Sequence, residues 1–405
     1  MPRVFVTGYG IICSIGTDAE SVGNSLREKK SGIGPIDLID TVYKNEIPVA
    51  EIKLTNDELR VLAGTGKEFR SRTALLGAIA ARQAVSQSRL DKRSFNSCAL
   101  ISGTTIGGMD RTEEFYKVFR NNRRKGKISE VAGHDCGSAA ELMADHFGIT
   151  GIISTINTAC SSSANAIMLG SRLIKQGLIK KALVGGTDCL ARFTLNGFNS
   201  LMILDREHCK PFDENRNGLN LGEGAAFLVL EPEDEVIREK KKVFAEISGY
   251  GNSCDAYHQT ASSPDGNGAY LAMKQALESA GLNAGDIDYI NAHGTGTKNN
   301  DLSEGVAIER LFGENIPAYS STKAHTGHTL GAAGAVEAVI SILGLSSGCI
   351  YPNLNFSQKM QELKVEPVHE IQSSKSLHHV MSNSFGFGGN NSSLIISAVS
   401  DGSIY

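Results

Sequence analysis

The segment Asn157–Gly177, NTACSSSANAIMLGSRLIKQG, places a single thiol, Cys160, between a β-branched run, IISTINT, and a long stretch almost free of charge. A strand that turns into a helix here sets the thiol beside unpaired backbone N–H groups and the positive end of the helix dipole. Both favour thiolate and would lower the thiol pKa. Ala159, Ser161 and Ser162 are small enough to let a substrate approach. The competing reading is that one serine caps the helix and Cys160 merely packs, as most lone cysteines do.

Three further segments carry chemistry-bearing residues. NAHGTGTKNND, Asn291–Asp301, puts His293 after a hydrophobic stretch and ahead of two Gly-Thr pairs, combining close backbone approach, hydroxyls and an imidazole. A phosphate-cradling loop would need GxGxxG or GK[ST], and neither is there. A purely structural histidine stays open. SSTKAHTGHTLGAAGA, Ser320–Ala335, crowds Lys323, His325 and His328 at the entrance of a second apolar stretch. A lysine so close to a core helix demands a partner. The HxxH spacing hints at a metal, but no third ligand of matching spacing accompanies it. NSFGFGGNN, Asn383–Asn391, is a glycine-aromatic loop that could aim a backbone N–H at a developing oxyanion, or be only a turn.

The elements that must position these groups alternate between strand-like runs (RVFVTG, SCALISG, KALVGG, AAFLVLE, LIISAV) and helix-like ones (Arg72 to Ser88, Tyr270 to Ala280), the pattern of an α/β protein. The most charged segment, Glu231 to Lys242, reads as a solvated turn or surface helix end. After it the chain partly repeats its beginning: VFVTGYGIIC and VFAEISGYGNSC each separate Gly-Tyr-Gly from a cysteine by a two-residue gap. Likewise TINTA leads to Cys160 and an apolar helix, and PAYSST leads to KAHTGH and another, with Glu337 the main charge in the second. A helix apolar all round belongs in the middle of a large core. Two similar halves are therefore expected, residues 1–242 with the thiol and residues 243–405 with both central histidines.

The 405 residues are 41% hydrophobic and 21% charged, enough for a large core. A formal charge of −4 argues against bulk nucleic-acid binding. No apolar run is expected to reach the roughly 18 residues that span a bilayer, so no membrane association is expected. The N-terminus opens on strand-like residues rather than a signal peptide, and a cytoplasmic location is expected. Cys13, Cys98, Cys136, Cys160, Cys189, Cys209, Cys254 and Cys349 form no CxxC pair and no dense framework, which disfavours a disulfide scaffold or a thiolate zinc site.

Taken together and in this order, these motifs resemble the β-ketoacyl-acyl carrier protein synthases, specifically the elongating condensing enzymes with a Cys-His-His site. PFDENRNGLNLGEGAAFLVLE, Pro211–Glu231, is similar to a further family segment. The resemblance implies the thiolase fold, two pseudo-repeated αβαβα halves in five layers, ordinarily a homodimer, with a heterodimer as the alternative. It implies that Cys160 is acylated from an acyl carrier protein and that His293 and His328 support malonyl decarboxylation. Cys160 and Phe387 would supply oxyanion-hole N–H groups, and Phe387 would also gate the site. Lys323 would be held by Glu304, Thr295 and Thr297 would bind the phosphopantetheine arm, and Ile106 and Phe198 would line the acyl pocket. Arg70 and Lys127 become contacts for the acidic carrier, or members of a solvated face. No cofactor or metal belongs to the chain itself, because the arm is part of the carrier.

Asn217, the Leu219-Asn220 pair, Ala324 and His325 depart from the common elongase pattern. They bear on substrate, leaving fatty-acid elongation and a specialised aryl-polyene or flexirubin-like pathway as alternatives. A thiolase would need a second reactive cysteine near the C-terminus, where only Cys349 is close. Initiating synthases use Cys-His-Asn. A chain-length-factor-like subunit would lack the nucleophilic cysteine.

Overall fold

The computed structural model describes residues 2–90, 92–373 and 376–399. Ten strands carry the architecture: β1 (Val4–Cys13), β2 (Cys98–Gly103), β3 (Ile153–Ile156), β4 (Lys181–Asp188), β5 (Gly224–Pro232), β6 (Ala245–Cys254), β7 (Tyr289–Asn291), β8 (Ala318–Ser320), β9 (His379–Phe385) and β10 (Asn390–Ser397). They are ordered β3-β2-β4-β5-β1-β6-β10-β9-β7-β8. The pairings read the same from either end: two parallel, two antiparallel, the β1–β6 junction, two antiparallel, two parallel. The junction is short, pairing Phe5 with Glu246 and Val6 with Ala245. Two five-stranded sheets are thus joined at one corner.

Six helices matter for the site: α1 (Arg72–Ser88), α2 (Ser162–Lys175), α3 (Arg192–Ser200), α4 (Asn267–Ala280), α5 (Lys298–Phe312) and α6 (Ala333–Ser347). The helices α2 and α6 contact each other and strands of both sheets, whereas α1 covers β1, β5 and β4, and α4 covers β6, β10 and β9. This is the five-layered α/β arrangement of the thiolase fold. Both middle helices are largely buried, and Glu337 is only 2% exposed.

The repeated Gly-Tyr-Gly has a packing cause. A Cβ at Gly10 would stand 2.1 Å from the Ala80 carbonyl oxygen in α1, and one at Gly251 would stand 2.1 Å from that of Ala272 in α4. Each outer helix lies against its strand at a distance only glycine permits. A third close approach joins the middle helices, where a Cβ at Gly334 would be 2.8 Å from both the Cβ and the N of Ala164.

Two expectations from sequence are corrected here. Leu330–Ser347 forms an 18-residue helical run of mean hydropathy 1.6, long and apolar enough to cross a membrane, although no run of that length was expected; 83% of it is buried inside the protein, as befits a core helix. Glu231–Lys242 is not simply solvated. Glu231 completes β5 fully buried and accepts hydrogen bonds from Thr7 Oγ1 (2.5 Å) and Lys241 Nζ (2.8 Å), so only part of the following helix, Glu233–Glu239, faces solvent. The opposite charges there neutralise one another across the turn instead of each seeking water.

Gly10→Ala and Gly251→Ala should each destabilise the protein by about 1–3 kcal/mol through overpacking. Gly197→Ala, exposed on α3 with nothing within 4 Å of the added methyl, should not. Thermal denaturation of the three variants checks the contrast; equal melting temperatures would show that the close approach is not required.

Candidate active site

The thiol lies in the turn between β3 and α2. Ala159 adopts a left-handed conformation (φ 53°), which makes the turn sharp. The turn is closed by Ser161 Oγ donating to Thr158 O (2.8 Å), Ser162 Oγ donating to Ala159 O (2.5 Å) and Thr158 N donating to Ser162 Oγ (2.9 Å). Asn390 Oδ1 accepts from Ser161 Oγ (2.8 Å), Asn165 Nδ2 (2.9 Å) and Asn252 Nδ2 (2.9 Å), tying this turn to the glycine-rich loop and to β6. The serines that read as possible caps are therefore turn staples.

The helix begins at Ser162, two residues beyond the thiol, and Cys160 is 6% exposed. The expected lowering of its pKa is overturned. Burial pushes the thiol up to about 12, although the Lys323 charge and the Phe387 backbone N–H both favour the thiolate. Desolvation outweighs the nearby helix end.

Cys160 Sγ lies 3.1 Å from His328 Nε2. The other ring nitrogen of His328, Nδ1, accepts a hydrogen bond from the Leu330 backbone N–H (3.2 Å). That network assigns the proton of the neutral ring to Nε2, which points it at the sulfur. His328 is thus built as a donor to the reaction centre, not as a base toward the thiol. Leu330 reaches this position in a left-handed conformation (φ 53°).

His293 follows β7. Its ring lies edge-on to that of His328, with centroids 5.3 Å apart at 84°. Its backbone N–H and that of Gly294 donate to the two oxygens of Glu304 (2.9 and 2.8 Å), and Asn383 Nδ2 adds a third donor (3.1 Å). Burial, then Lys323, hold both histidines well below the ordinary imidazole pKa, and His328 lowers His293 further. Both are neutral rings near pH 7.

Lys323 pairs with Glu337 in α6, not with Glu304. This corrects the assignment of Glu304 as the lysine's partner: Glu304 is consumed by the backbone N–H groups of the His293 loop, and so positions that loop. Burial pushes both carboxyls up to about 7, with backbone N–H donors opposing the shift at Glu304 and the Lys323 charge opposing it at Glu337. The signal for the true partner lay in the sequence, as the main charge in an otherwise apolar helix.

An open cavity of about 390 Å³ reaches the thiol. Cys160, His293, His328, Phe387, Phe198, Thr295 and Thr297 all line it. The rings of Phe198 and Phe387 stack at 5.7 Å, and the two threonine hydroxyls are 2.9 Å apart. Ile106 is not among the lining residues; it is buried, at 6% exposure. Lys323 and Glu304 stand behind the histidines that line the wall. His325, the other half of HxxH, turns away: Nδ1 and Nε2 lie 2.8 and 3.1 Å from the carbonyl oxygens of Lys30 and Pro352, so it offers no ligand beside His328. Among the departures from the elongase pattern, Asn217 and Leu219 line the cavity, while Asn220 is a fully buried brace between backbone segments. Arg70 donates to Ser129 Oγ (2.9 Å), which brings it beside the exposed Lys127 segment.

Sequence reasoning missed Asp188, Leu330, Asn383 and Asn390, none of which bears a reactive group in a recognisable spacing.

Comparison with known proteins agrees with this arrangement. The profile of the beta-ketoacyl synthase N-terminal domain matches residues 1–236, and that of the C-terminal domain matches residues 244–357. Nodulation protein E of Rhizobium meliloti (strain 1021) is 33% identical over 98% of this chain and 99% of its own length. The 3-oxoacyl-[acyl-carrier-protein] synthase 2 of the same strain is 38% identical over 74% of each chain. Among solved structures, a chain of the ishigamide ketosynthase/chain length factor superposes with a TM-score of 0.92 at 29% identity, covering 98% of this chain and 100% of that one. A buried thiol facing two neutral histidines, on this fold and with these relatives, places the chain in the β-ketoacyl synthase family, the acyltransferases that form carbon–carbon bonds by condensation.

Proposed function

We propose that the chain elongates fatty-acyl chains by decarboxylative Claisen condensation. The observation that carries this reading is the convergence, at the end of one open cavity, of Cys160 Sγ with His328 Nε2 at 3.1 Å and with His293 and the Phe387 N–H around them. Cys160 attacks the thioester of an acyl carrier protein; the carbonyl–sulfur bond to the carrier breaks, and the thiol proton ends on the departing sulfur. The N–H groups of Cys160 and Phe387 stabilise the oxyanion formed on the way. A malonyl carrier then enters. Its C–COO⁻ bond breaks, carbon dioxide leaves, and the electron pair becomes an enolate whose oxygen takes hydrogen bonds from His293 and His328. The enolate carbon attacks the acyl carbonyl, the bond to Cys160 breaks, and one proton restores the thiol.

Thr295 and Thr297, with adjacent hydroxyls on the cavity wall, hold the phosphopantetheine arm. Phe198 and Ile106 bound the acyl chain, and Phe387 gates the entrance. Burial and then Lys323, fixed by Glu337, keep both histidines neutral, and Glu304 sets the His293 loop. The arm arrives with the carrier, so the chain uses no cofactor or metal of its own. Arg70 and Lys127 are contacts for the acidic carrier. The assembly is a homodimer in the cytoplasm, with the halves meeting near residue 242. A second reading, an elongating synthase of a specialised polyene pathway with a heterodimeric partner, is favoured by Asn217 and Leu219, because these departures from the elongase pattern face the substrate cavity.

Cys160→Ala should lose condensation yet still decarboxylate malonyl carrier, because the histidine donors remain; His293→Ala and His328→Ala should each lose about a hundredfold or more of that decarboxylation. Release of carbon dioxide from malonyl carrier, with and without acyl donor, reads both steps. Loss of decarboxylation in folded Cys160→Ala would break this division of roles.

The pH dependence follows from the same burial. With both imidazole pKa values well below 6.5, neither ring should give an inflection at 6.5 in decarboxylation by Cys160→Ala; an inflection near 7 belongs to Glu304 and Glu337, whose buried carboxyls are pushed up to about 7, and should disappear in Glu304→Gln or Glu337→Gln. In the native protein, iodoacetamide alkylation of Cys160 should keep rising past pH 10 without a plateau, since its thiol titrates near 12. An alkylation midpoint below 8.5 would contradict a desolvated resting thiol.

A further inference from the structure

Asp188 closes β4 with no solvent exposure, although nothing in the proposed chemistry uses it. Its Oδ1 accepts from Thr104 Oγ1 (2.6 Å), Thr105 N (3.0 Å) and Ile106 N (3.0 Å). Its Oδ2 accepts from Thr105 Oγ1 (2.7 Å), Thr105 N (3.0 Å) and Gly331 N (2.7 Å). Every one of these donors is neutral. A buried carboxylate is tolerated only where hydrogen bonds replace its hydration, so each donor is held firmly in place.

The donors come from two separate segments. Thr104, Thr105 and Ile106 form the loop after β2, closed on itself by Gly107 N donating to Thr104 Oγ1 (3.2 Å). Gly331 belongs to the turn before α6, where a Cβ would stand 2.8 Å from Asp188 Oδ2. The residue before it is Leu330, whose strained backbone presents the N–H that fixes the tautomer of His328. One carboxylate therefore grips the loop bearing Ile106 and, one peptide from Leu330, the turn that orients the histidine.

We propose that Asp188 is a positioning residue that couples the acyl-pocket loop at Ile106 to the His328 turn, so that chain-length selection and decarboxylation are set by the same clamp. This rests on the condensing role proposed above. Asp188 hydrogen-bonds neither Cys160 nor a ring nitrogen; its charge adds to the forces that disfavour the Cys160 thiolate, and its positioning role runs through the Ile106 and Gly331 backbones. A loosened clamp displaces the His328 donor and relaxes the wall behind the acyl chain together. Carrier docking at the mouth of the cavity, lined by other residues, is left alone.

The test uses the full-length protein with Asp188→Asn, which keeps the size but turns an amide NH₂ toward donors that need an acceptor. The expected result is a loss of about ten- to a hundredfold in kcat for malonyl-carrier decarboxylation without acyl donor, as for a small misplacement of a catalytic group. KM for the malonyl carrier stays unchanged. Over a series of saturated acyl carriers, the chain-length profile of Cys160 acylation broadens. Thr105→Val, which removes a single hydroxyl donor, shifts both readouts the same way by less, and carries the test alone if Asp188→Asn fails to fold. Wild-type values of kcat and of the chain-length profile in a folded variant overturn the proposal, as does a change in one readout without the other. Failure of the wild-type protein itself to decarboxylate or acylate rejects the condensing function instead.

Discussion

The two middle helices meet backbone against backbone where Gly334 faces Ala164, and the rest of the site follows from that contact. No larger residue fits there, so the starts of α2 and α6 are brought together in the centre of the molecule. The segments that lead into those helices carry Cys160 and His328, and their separation of 3.1 Å is set by the helix crossing, not by loop flexibility. The sheets on either side and the outer helices, which glycines hold close, keep the crossing from relaxing. A catalytic pair on such a scaffold is pre-organised before substrate arrives.

Burial at that crossing decides the electrostatics. The resting thiol is pushed up to about 12 and both imidazoles are held neutral, so the site stores no reactive charge between turnovers. The histidines instead present N–H donors toward places where charge develops during reaction, the economical form of transition-state stabilisation in a dry site. The Lys323–Glu337 pair belongs to the same logic. It places a cation behind the histidines, disfavouring their protonation, while Glu337 provides the partner that a buried ammonium requires.

Much of this was legible in the sequence. The thiol, both histidines and Lys323 stood out because reactive residues interrupted apolar or glycine-rich stretches, and the Gly-Tyr-Gly repeat corresponds to two equivalent strand–helix contacts. What was not legible depends on geometry that spacing does not encode. Glu304 was matched to Lys323 through the family resemblance, and only the fold shows that backbone N–H groups occupy Glu304 and that Glu337 holds the lysine. The thiol was expected at a helix start that in fact lies two residues on, because the turn that opens with the left-handed Ala159 runs through Cys160 and Ser161 before the helix begins. Ile106 was expected on the pocket wall but is buried and not part of the lining. Asp188 gave no signal at all, since its partners are backbone N–H groups and threonine hydroxyls from two distant segments.

The most direct test of the account is the mass of the intact protein after incubation with acyl carrier thioesters. The account predicts one acyl adduct on the native chain and none on Cys160→Ala. No adduct with any donor on a folded native chain, or an adduct that survives the substitution, would contradict it.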